Sequence, residues 1–492
     1  MTYSKTPEET LDPENWDEFS VLGHRMLEDT IQYLKTIREQ QITLPDEKTI
    51  EQIYAPLTEE GEGEEKVYQV FKHSILPHLT AQIKPTFWGW VAGPGTPYGM
   101  LADMLASGSN CADEDWVAST YCHRQVINWI KQLLDYPQEA GGVLVYGGTE
   151  ANFTGLAVAR NAKAEVDMKA KGMQGVPRKM TLYVSDEGHH CLERSVELTG
   201  LGNESLRWVP TDDECRIRID RLEEAIRRDR VDGFYPFCVI GCAGTVNSGA
   251  FDDFNALAQV ASREKIWFHV DAAFGGWVKL SETYRWLADG MEMADSLAID
   301  LHKWMYMPYG IGCTLVRNRV AHLSTFVYGH EAEYLKGGFD AFKDMLDWPA
   351  MLGLPLSRYF VSLKAYMLLR AYGKGRYRRL IQQNLDQVAY LEGLVRGEEC
   401  LEITAPVSSN VACFRYNPGG LDEAGLKELN KAIMGELWKV HFGLVSDTTI
   451  KGRYTLRACN VNHRTRREDF DWLVAEVKRI GSNLAKGIRR EY

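Results

Sequence analysis

The sequence lacks a CxxC pair and any cluster of cysteine and histidine at zinc spacing, although it holds 10 cysteines in 492 residues. Scattered thiols are typical of a reducing compartment rather than of a disulfide framework or a metal site. No apolar stretch reaches the roughly 18 residues of a membrane-spanning helix. The acidic N-terminus does not resemble a signal peptide either. We therefore expect a cytoplasmic protein without a structural metal and without a membrane partner.

Basic residues are outnumbered by acidic ones. The 56 lysines and arginines stand against 68 aspartates and glutamates, which gives a formal net charge of -12. Such a balance argues against a nucleic acid as a partner. The remaining composition, 45% hydrophobic and 25% charged, is that of an ordinary globular protein.

Apolar runs alternate with amphipathic stretches through the middle of the chain. GGVLVY at 141–146 precedes a helical pattern at 149–172, and DDFNALAQVASREK precedes IWFHVDAAF. Strands that alternate with helices predict βαβ units and a mostly parallel sheet. Ligands of such a sheet bind beyond the carboxyl ends of its strands.

Polar residues follow these strands in YGGTEAN (146–152), SDEGHH (185–190), HVDAAFGG (269–276) and DLHKW (300–304). The glycines and Thr149 open a helix whose free N–H groups suit a phosphate, although the same residues are equally typical of a plain helix cap. Asp271 would end a buried strand as a cap, as half of a salt bridge or as a functional carboxylate.

Lys303 needs an explanation, because an unpaired amine at the mouth of a buried sheet is costly. Near a phosphate cradle and a buried aspartate, a lysine can form a Schiff base with pyridoxal phosphate, while the aspartate keeps the pyridine nitrogen protonated. The ring then acts as an electron sink for a carbanion at the Cα of the substrate. The four stretches together predict a pyridoxal-phosphate enzyme.

In this combination the four stretches resemble the group II pyridoxal-phosphate-dependent amino acid decarboxylases, which include aromatic amino acid, histidine, glutamate and diaminobutyrate decarboxylases. The resemblance implies an α/β protein of fold type I, the aspartate-aminotransferase type. Its parts are a helical segment at 1–85 that packs on a dimer partner, a large cofactor-binding domain at 86–375 with a mostly parallel sheet, and a smaller α+β domain at 376–492. It also implies a homodimer, whereas periodicity alone leaves open whether a partner or the chain itself covers the N-terminal helix.

Carried over to this sequence, the resemblance makes Lys303 the Schiff-base lysine, Asp271 the partner of the ring nitrogen and His189 the imidazole that stacks on the ring. His190 stands where a small residue is expected, and Leu301 where relatives often carry proline. The other cofactor-binding positions that the resemblance implies are Gly148, Thr149, Thr245, Ala273, Asp300 and His302.

The reaction type is indicated by the polar, glycine-containing stretch 325–346, which predicts a mobile lid. The family carries its proton donor there in a Tyr-Leu-Lys triplet, and EYLK places Tyr334 at that position. This tyrosine favours simple decarboxylation of an L-amino acid to an amine and carbon dioxide over oxidation to an aldehyde. Another fold type I enzyme, such as an aminotransferase, and a non-catalytic scaffold remain alternatives.

Two features of the sequence bear on which amino acid is the substrate. Phe87, Trp88 and Trp90 either line an aromatic pocket or belong to the core. The acidic run 113–115 includes Glu114. It can bind a cationic side chain or a ring with N–H or O–H donors, and the alternative is a solvated loop. We favour an aromatic or heteroaromatic L-amino acid, with a cationic or acidic amino acid of the diaminobutyrate or glutamate type second.

Overall fold

The computed structural model describes residues 10–79, 81–111, 118–327, 348–440 and 442–491, the side chains of 487–491 excepted. The chain divides into two compact units, Met1–Lys84 and Pro85–Tyr492. None of the helices in the described ranges combines the length and the hydropathy that crossing a membrane requires.

The first unit is helical, with α1 at Trp16–Lys35, α2 at Glu47–Ile53 and α3 at Glu64–Val70. Asp29 of α1 accepts a hydrogen bond from the hydroxyl of Tyr68 at 2.6 Å and pairs with Lys72 at 2.7 Å. These contacts join α1 to α3 and the turn after it. No residue of α1 is buried within this chain, and apolar side chains such as Trp16 and Val21 are exposed.

The second unit contains both strands and helices. Its strands are β1 Phe87–Trp88, β2 Gly141–Val145, β3 Met180–Ser185, β4 Leu206–Val209, β5 Tyr235–Cys242, β6 Trp267–Asp271, β7 Ser296–Asp300, β8 Gly312–Val316, β9 Leu401–Ile403, β10 Val411–Tyr416, β11 Leu444–Ile450 and β12 Arg453–Cys459. Its helices are α4 Pro97–Ser109, α5 Ala118–Leu133, α6 Gly148–Lys163, α7 Met168–Lys171, α8 Cys191–Leu198, α9 Ile219–Val231, α10 Phe254–Glu264, α11 Arg319–Phe326, α12 Ser362–Arg396, α13 Glu423–Val440 and α14 Arg467–Glu491.

Seven strands form one sheet in the order β2-β8-β7-β6-β5-β3-β4. β4, β3, β5, β6 and β7 are parallel to one another. β8 is antiparallel to both of its neighbours, β2 and β7. β2, β3, β6 and β7 are buried along their whole length, as expected when helices cover both faces of a parallel sheet. The predicted α/β architecture with a mostly parallel sheet is therefore confirmed.

The other five strands form a smaller sheet in the order β1-β11-β12-β10-β9. It has its own core, in which Trp88 stacks on Phe470 of α14 with 4.9 Å between the ring centroids. α12 contributes Leu385 to the core of the large sheet and Val388 to this smaller one. The helix is interrupted at Gly373, whose φ of 65° lies in the left-handed region that favours glycine.

The topology of the large sheet determines where polar residues meet. Because β8 is antiparallel to both β2 and β7, β2 runs in the same direction as the parallel strands. The carboxyl ends of β2, β3, β5, β6 and β7 therefore lie at one edge. The stretches that carry Thr149, His189, Thr245, Asp271 and Lys303 all begin at this edge.

Candidate active site

A cavity of about 870 Å³ lies at this edge of the large sheet. Its lining brings together residues from the ends of five strands. It includes all the residues that were predicted to bind the cofactor: Gly148, Thr149, His189, Thr245, Asp271, Ala273, Asp300, His302 and Lys303.

Lys303 is held by a buried ion pair. Its Nζ lies 2.9 Å from Oδ2 of Asp300, the last residue of β7, which is fully buried. Burial by itself lowers the pKa of the Lys303 ammonium, but the charge and the hydrogen bond of Asp300, with a further contribution from Asp271, raise it above its usual range. The amine is therefore charged at neutral pH in this arrangement.

Asp271 and His189 lie near Lys303 on the same cavity. Oδ1 of Asp271 accepts a hydrogen bond from the backbone N–H of Ala273 at 3.1 Å, which orients the carboxylate at the end of β6. Nδ1 of His189 accepts from the backbone N–H of Cys191 at 3.1 Å, so Nε2 carries the proton. Burial lowers the pKa of His189 and outweighs the opposing charge of Asp271, which favours the neutral ring.

The start of α6 forms a cradle without side chains. Gly147 is its N-cap and makes no side-chain capping bond, so no cap side chain occupies the first N–H groups of the helix, and Gly147, Gly148 and Thr149 line the cavity. A Cβ on Gly148 would lie 2.8 Å from Oδ2 of Asp300 and 3.3 Å from Cβ of Ala273. Only glycine lets the helix start this close to the two residues.

Two other predicted residues support the cavity wall. The hydroxyl of Thr245 lies 2.7 Å from that of Ser248 within a buried turn. Nδ1 of His302 donates to the carbonyl of Ile311 at 2.9 Å, and burial lowers the pKa of the ring.

The residues predicted for the substrate pocket are only partly brought together. Trp90 lines the cavity, but Phe87 and Trp88 are not part of its described lining. Both are buried in β1, which pairs with β11. Trp88 belongs to the core of the smaller sheet, whereas the ring centroid of Phe87 lies 5.5 Å from that of Trp90. Glu114 and Tyr334 lie outside the described residues.

Sequence reasoning missed charged residues on the cavity, among them Arg457 and Glu187. Arg457 of β12 is buried and bonds the carbonyls of Asn247 and Trp90, at 3.2 and 2.8 Å. Glu187 has a buried carboxylate oxygen without a hydrogen-bond partner in the described part of the chain, and burial raises its pKa. An arginine inside the apolar strand pattern YTLRAC was the available signal for the first, since buried charges need partners.

These groups fit pyridoxal phosphate. The uncapped start of α6, in which a Cβ would clash, can hold a phosphate; Asp271 can hold the protonated ring nitrogen; and Lys303 can hold the aldehyde carbon. Across the described ranges, no group of three or more His, Cys, Asp or Glu side chains could hold a metal ion.

Comparison with known proteins agrees with this chemistry. Residues 46–417 match the pyridoxal-dependent decarboxylase conserved domain. The chain is 29% identical over 475 residues to an aromatic-L-amino-acid decarboxylase of Bacillus atrophaeus, covering 95% of this chain and 96% of that one. It is 29% identical over 482 residues to tyrosine decarboxylase 3 of Petroselinum crispum, covering 93% and 90%.

A solved structure of Oryza sativa TDC with PLP and tryptamine shares the fold, with a TM-score of 0.89 at 24% identity over 96% of this chain and 100% of that one. The family match spans most of the chain and contains the whole cavity edge of the large sheet. The chain therefore belongs to the pyridoxal-dependent decarboxylase family and is a pyridoxal-phosphate-dependent amino acid decarboxylase.

Proposed function

We propose that this decarboxylase acts on an aromatic or heteroaromatic L-amino acid and releases the corresponding amine and carbon dioxide. The observation that carries this proposal is the position of Trp90, which presents its side chain to the cavity from a strained backbone. The names of the two relatives, an aromatic-L-amino-acid and a tyrosine decarboxylase, point in the same direction.

Trp90 has a φ of 50°, in the left-handed region that a bulky residue rarely adopts. Its backbone is held there on both sides, since Arg457 donates to its carbonyl at 2.8 Å and its N–H donates to the hydroxyl of Ser446 at 3.4 Å. Such strain persists where the surroundings impose it, and it is concentrated at functional sites. An indole held on the wall of the cavity suits a flat substrate ring.

The cavity residues have separate tasks in this function. When bound, pyridoxal phosphate supplies an electron sink for the carbon that loses its carboxylate. Lys303 would attach the cofactor, Asp271 would keep a proton on the ring nitrogen, and the neutral imidazole of His189 would pack on the face of the ring. Thr149 and Gly148 would bind the phosphate through the N-terminal turn of α6.

Tyr334 is the proposed proton donor. It lies outside the described residues, and the support for this role is the likeness of EYLK to the Tyr-Leu-Lys triplet of the family. A phenol has a reference pKa of about 10, so it is protonated at neutral pH and can act as an acid.

We also propose that the enzyme is a cytoplasmic homodimer. The support for a partner is α1, which has no buried residue in this chain and exposes apolar side chains. A second copy would remove this surface from water. The support for a reducing compartment is the scattered placement of the 10 cysteines, with no CxxC pair in the sequence.

A diamino acid is the second candidate substrate. Asp447 and Glu187 both line the cavity, and one carboxylate oxygen of Glu187 has no hydrogen-bond partner among the described residues. Carboxylates would attract a second ammonium group.

A panel of L-amino acids separates the candidates. We would measure carbon dioxide and amine with tryptophan, tyrosine, phenylalanine, histidine, 2,4-diaminobutyrate, glutamate and leucine, and use Lys303→Ala as the blank. We expect the highest kcat/KM with an aromatic or heteroaromatic member. A higher value for diaminobutyrate or glutamate would overturn the proposed substrate but leave the decarboxylase intact.

A further inference from the structure

A line of buried hydrogen bonds connects β6 to the first turn of α6. His269 is fully buried on β6, with Nδ1 2.7 Å from Oγ of Ser296 and Nε2 2.8 Å from Oδ1 of Asn152. Nε1 of Trp267 donates to the same Ser296 hydroxyl at 2.8 Å, and Nδ2 of Asn152 donates to the carbonyl of Gly148 at 3.0 Å.

The donors and acceptors of this line can be assigned from its two ends inward. The carbonyl of Gly148 can only accept, so it fixes the amide of Asn152 with its oxygen toward His269. Nε2 of His269 must then carry the proton. The indole N–H of Trp267 can only donate, so the hydroxyl of Ser296 accepts from it, and with a neutral ring this hydroxyl donates to Nδ1 of His269.

Burial favours the neutral imidazole, whose single proton is then on Nε2. Burial lowers the pKa of His269 to about 4 against the opposing charge of Asp271, in agreement with the hydrogen bonds. The fit is close, because a Cβ on Gly155 of α6 would lie 2.7 Å from Cε1 of His269.

The two ends of this line lie at groups that matter for the cofactor. The carbonyl that Asn152 holds belongs to the same planar peptide unit as the N–H of Thr149, in the first turn of α6. His269 precedes Asp271 by two residues on β6, so both side chains lie on the same face of the strand. A shift of His269 or Asn152 would change the position of the cradle relative to the carboxylate.

We propose that His269 and Asn152 are positioning residues, which fix the phosphate cradle of α6 relative to Asp271 so that one cofactor molecule reaches both. This inference rests on the roles proposed above for Asp271 and α6. Loss of the link should weaken binding of a ligand that spans both ends. It should have little effect on a ligand that occupies only the Asp271 end.

Two substitutions of His269 separate the two sides of the ring. His269→Gln places an amide N–H near the former Nε2 and keeps the bond to Asn152. His269→Asn reaches only the former Nδ1 position, so it keeps the bond to Ser296 and loses the link to α6. The dissociation constants of pyridoxal phosphate and of pyridoxal, which lacks the phosphate, are measured by absorbance titration of cofactor-depleted protein, together with its thermal midpoint.

We expect His269→Asn to raise the dissociation constant of pyridoxal phosphate by about tenfold, the value of one net hydrogen bond. The dissociation constant of pyridoxal should change by less than about twofold, which is below the contribution of one net hydrogen bond. Pyridoxal has no phosphate and therefore does not use the cradle. His269→Gln should bind both ligands like the parent protein. If His269→Asn does not fold, Asn152→Leu is titrated in its place with the same expected result.

The inference is overturned if His269→Asn or Asn152→Leu keeps the parental affinity for pyridoxal phosphate. It is also overturned if affinity for both ligands falls equally in the asparagine and glutamine variants, because that is the effect of a loosened core. Failure of the proposed cofactor roles would look different: in the same titration, Lys303→Ala and Asp271→Asn would bind both ligands like the parent protein.

Discussion

Removal of the Trp90 ring tests the proposed substrate directly. The residue is 55% exposed, so of the roughly 200 Å² of a tryptophan side chain about 100 Å² is available to a substrate ring. At about 25 cal/mol per Å², covering that area contributes about 2.5 kcal/mol, or about 70-fold in kcat/KM. We expect Trp90→Ala to lower kcat/KM for L-tryptophan or L-tyrosine by up to that factor, with little change for L-leucine.

The strained backbone supplies a second variant with the same loss of the ring. Glycine adopts a φ of 50° without the cost of about 1 kcal/mol that a residue with a Cβ incurs. Trp90→Gly should therefore match Trp90→Ala in kcat/KM and exceed it by about 1 kcal/mol in the free energy of unfolding, measured with urea. A loss of activity caused by poor folding would instead be smaller in the glycine variant.

Trp286 provides the control, since it is 59% exposed and lies outside the cavity lining of the described chain. Trp286→Ala should keep the parental kcat/KM for every substrate. The reasoning about Trp90 is refuted if Trp90→Ala decarboxylates aromatic amino acids at the parental kcat/KM, or if the aromatic and aliphatic substrates lose equally.

Five further outcomes follow from the proposed roles of individual residues. Lys303→Ala should lose the visible absorbance of bound cofactor, and Asp271→Asn should keep part of that absorbance while kcat falls by several orders of magnitude, as single-turnover assays would measure. Gly148→Ala should raise the cofactor dissociation constant, because its Cβ would lie 2.8 Å from the Asp300 carboxylate; unchanged saturation after dialysis would contradict this. Asp300 raises the pKa of Lys303, and only the neutral amine attaches the cofactor. The rate at which cofactor-depleted protein is reconstituted should therefore rise about tenfold per pH unit through neutral pH. A stopped-flow rate that does not change with pH would contradict the raised pKa of Lys303. Tyr334→Phe should reduce amine formation by about 10² to 10⁴-fold and yield some aldehyde and peroxide; amine at the parental rate would rule out this proton donor.

Much of the large sheet could be predicted because its signals are local. An apolar run such as GGVLVY needs no knowledge of its neighbours to indicate a buried strand, and it corresponds to β2. The helical pattern at 149–172 was predicted too long. Ala164 adopts an extended conformation after α6, and a short helix follows only at Met168–Lys171. The division at 85/86 and 375/376 stays a prediction.

The candidate site was predictable to the extent that its residues follow strands. The residues that were missed depend on contacts between distant parts of the chain. Arg457 reaches the cavity because β12 lies beside β11, and Asn152 matters because α6 crosses β6 at His269. Neither arrangement leaves a periodic signal in the sequence.

The positions of Phe87 and Trp88 have a physical cause that also bears on substrate choice. β1 is only two residues long and pairs with β11, and its two side chains point to opposite faces. Trp88 enters the smaller core, and Phe87 lies against the ring of Trp90. Gly89 ends the strand, and Trp90 then turns into the left-handed region toward the cavity, where Arg457 of β12 holds its carbonyl. The ring of Trp90 is therefore anchored to the smaller sheet, whereas Lys303 is anchored to the large one. Substitutions in the smaller core that shift β1 should change which amino acid is accepted without altering how the cofactor is held.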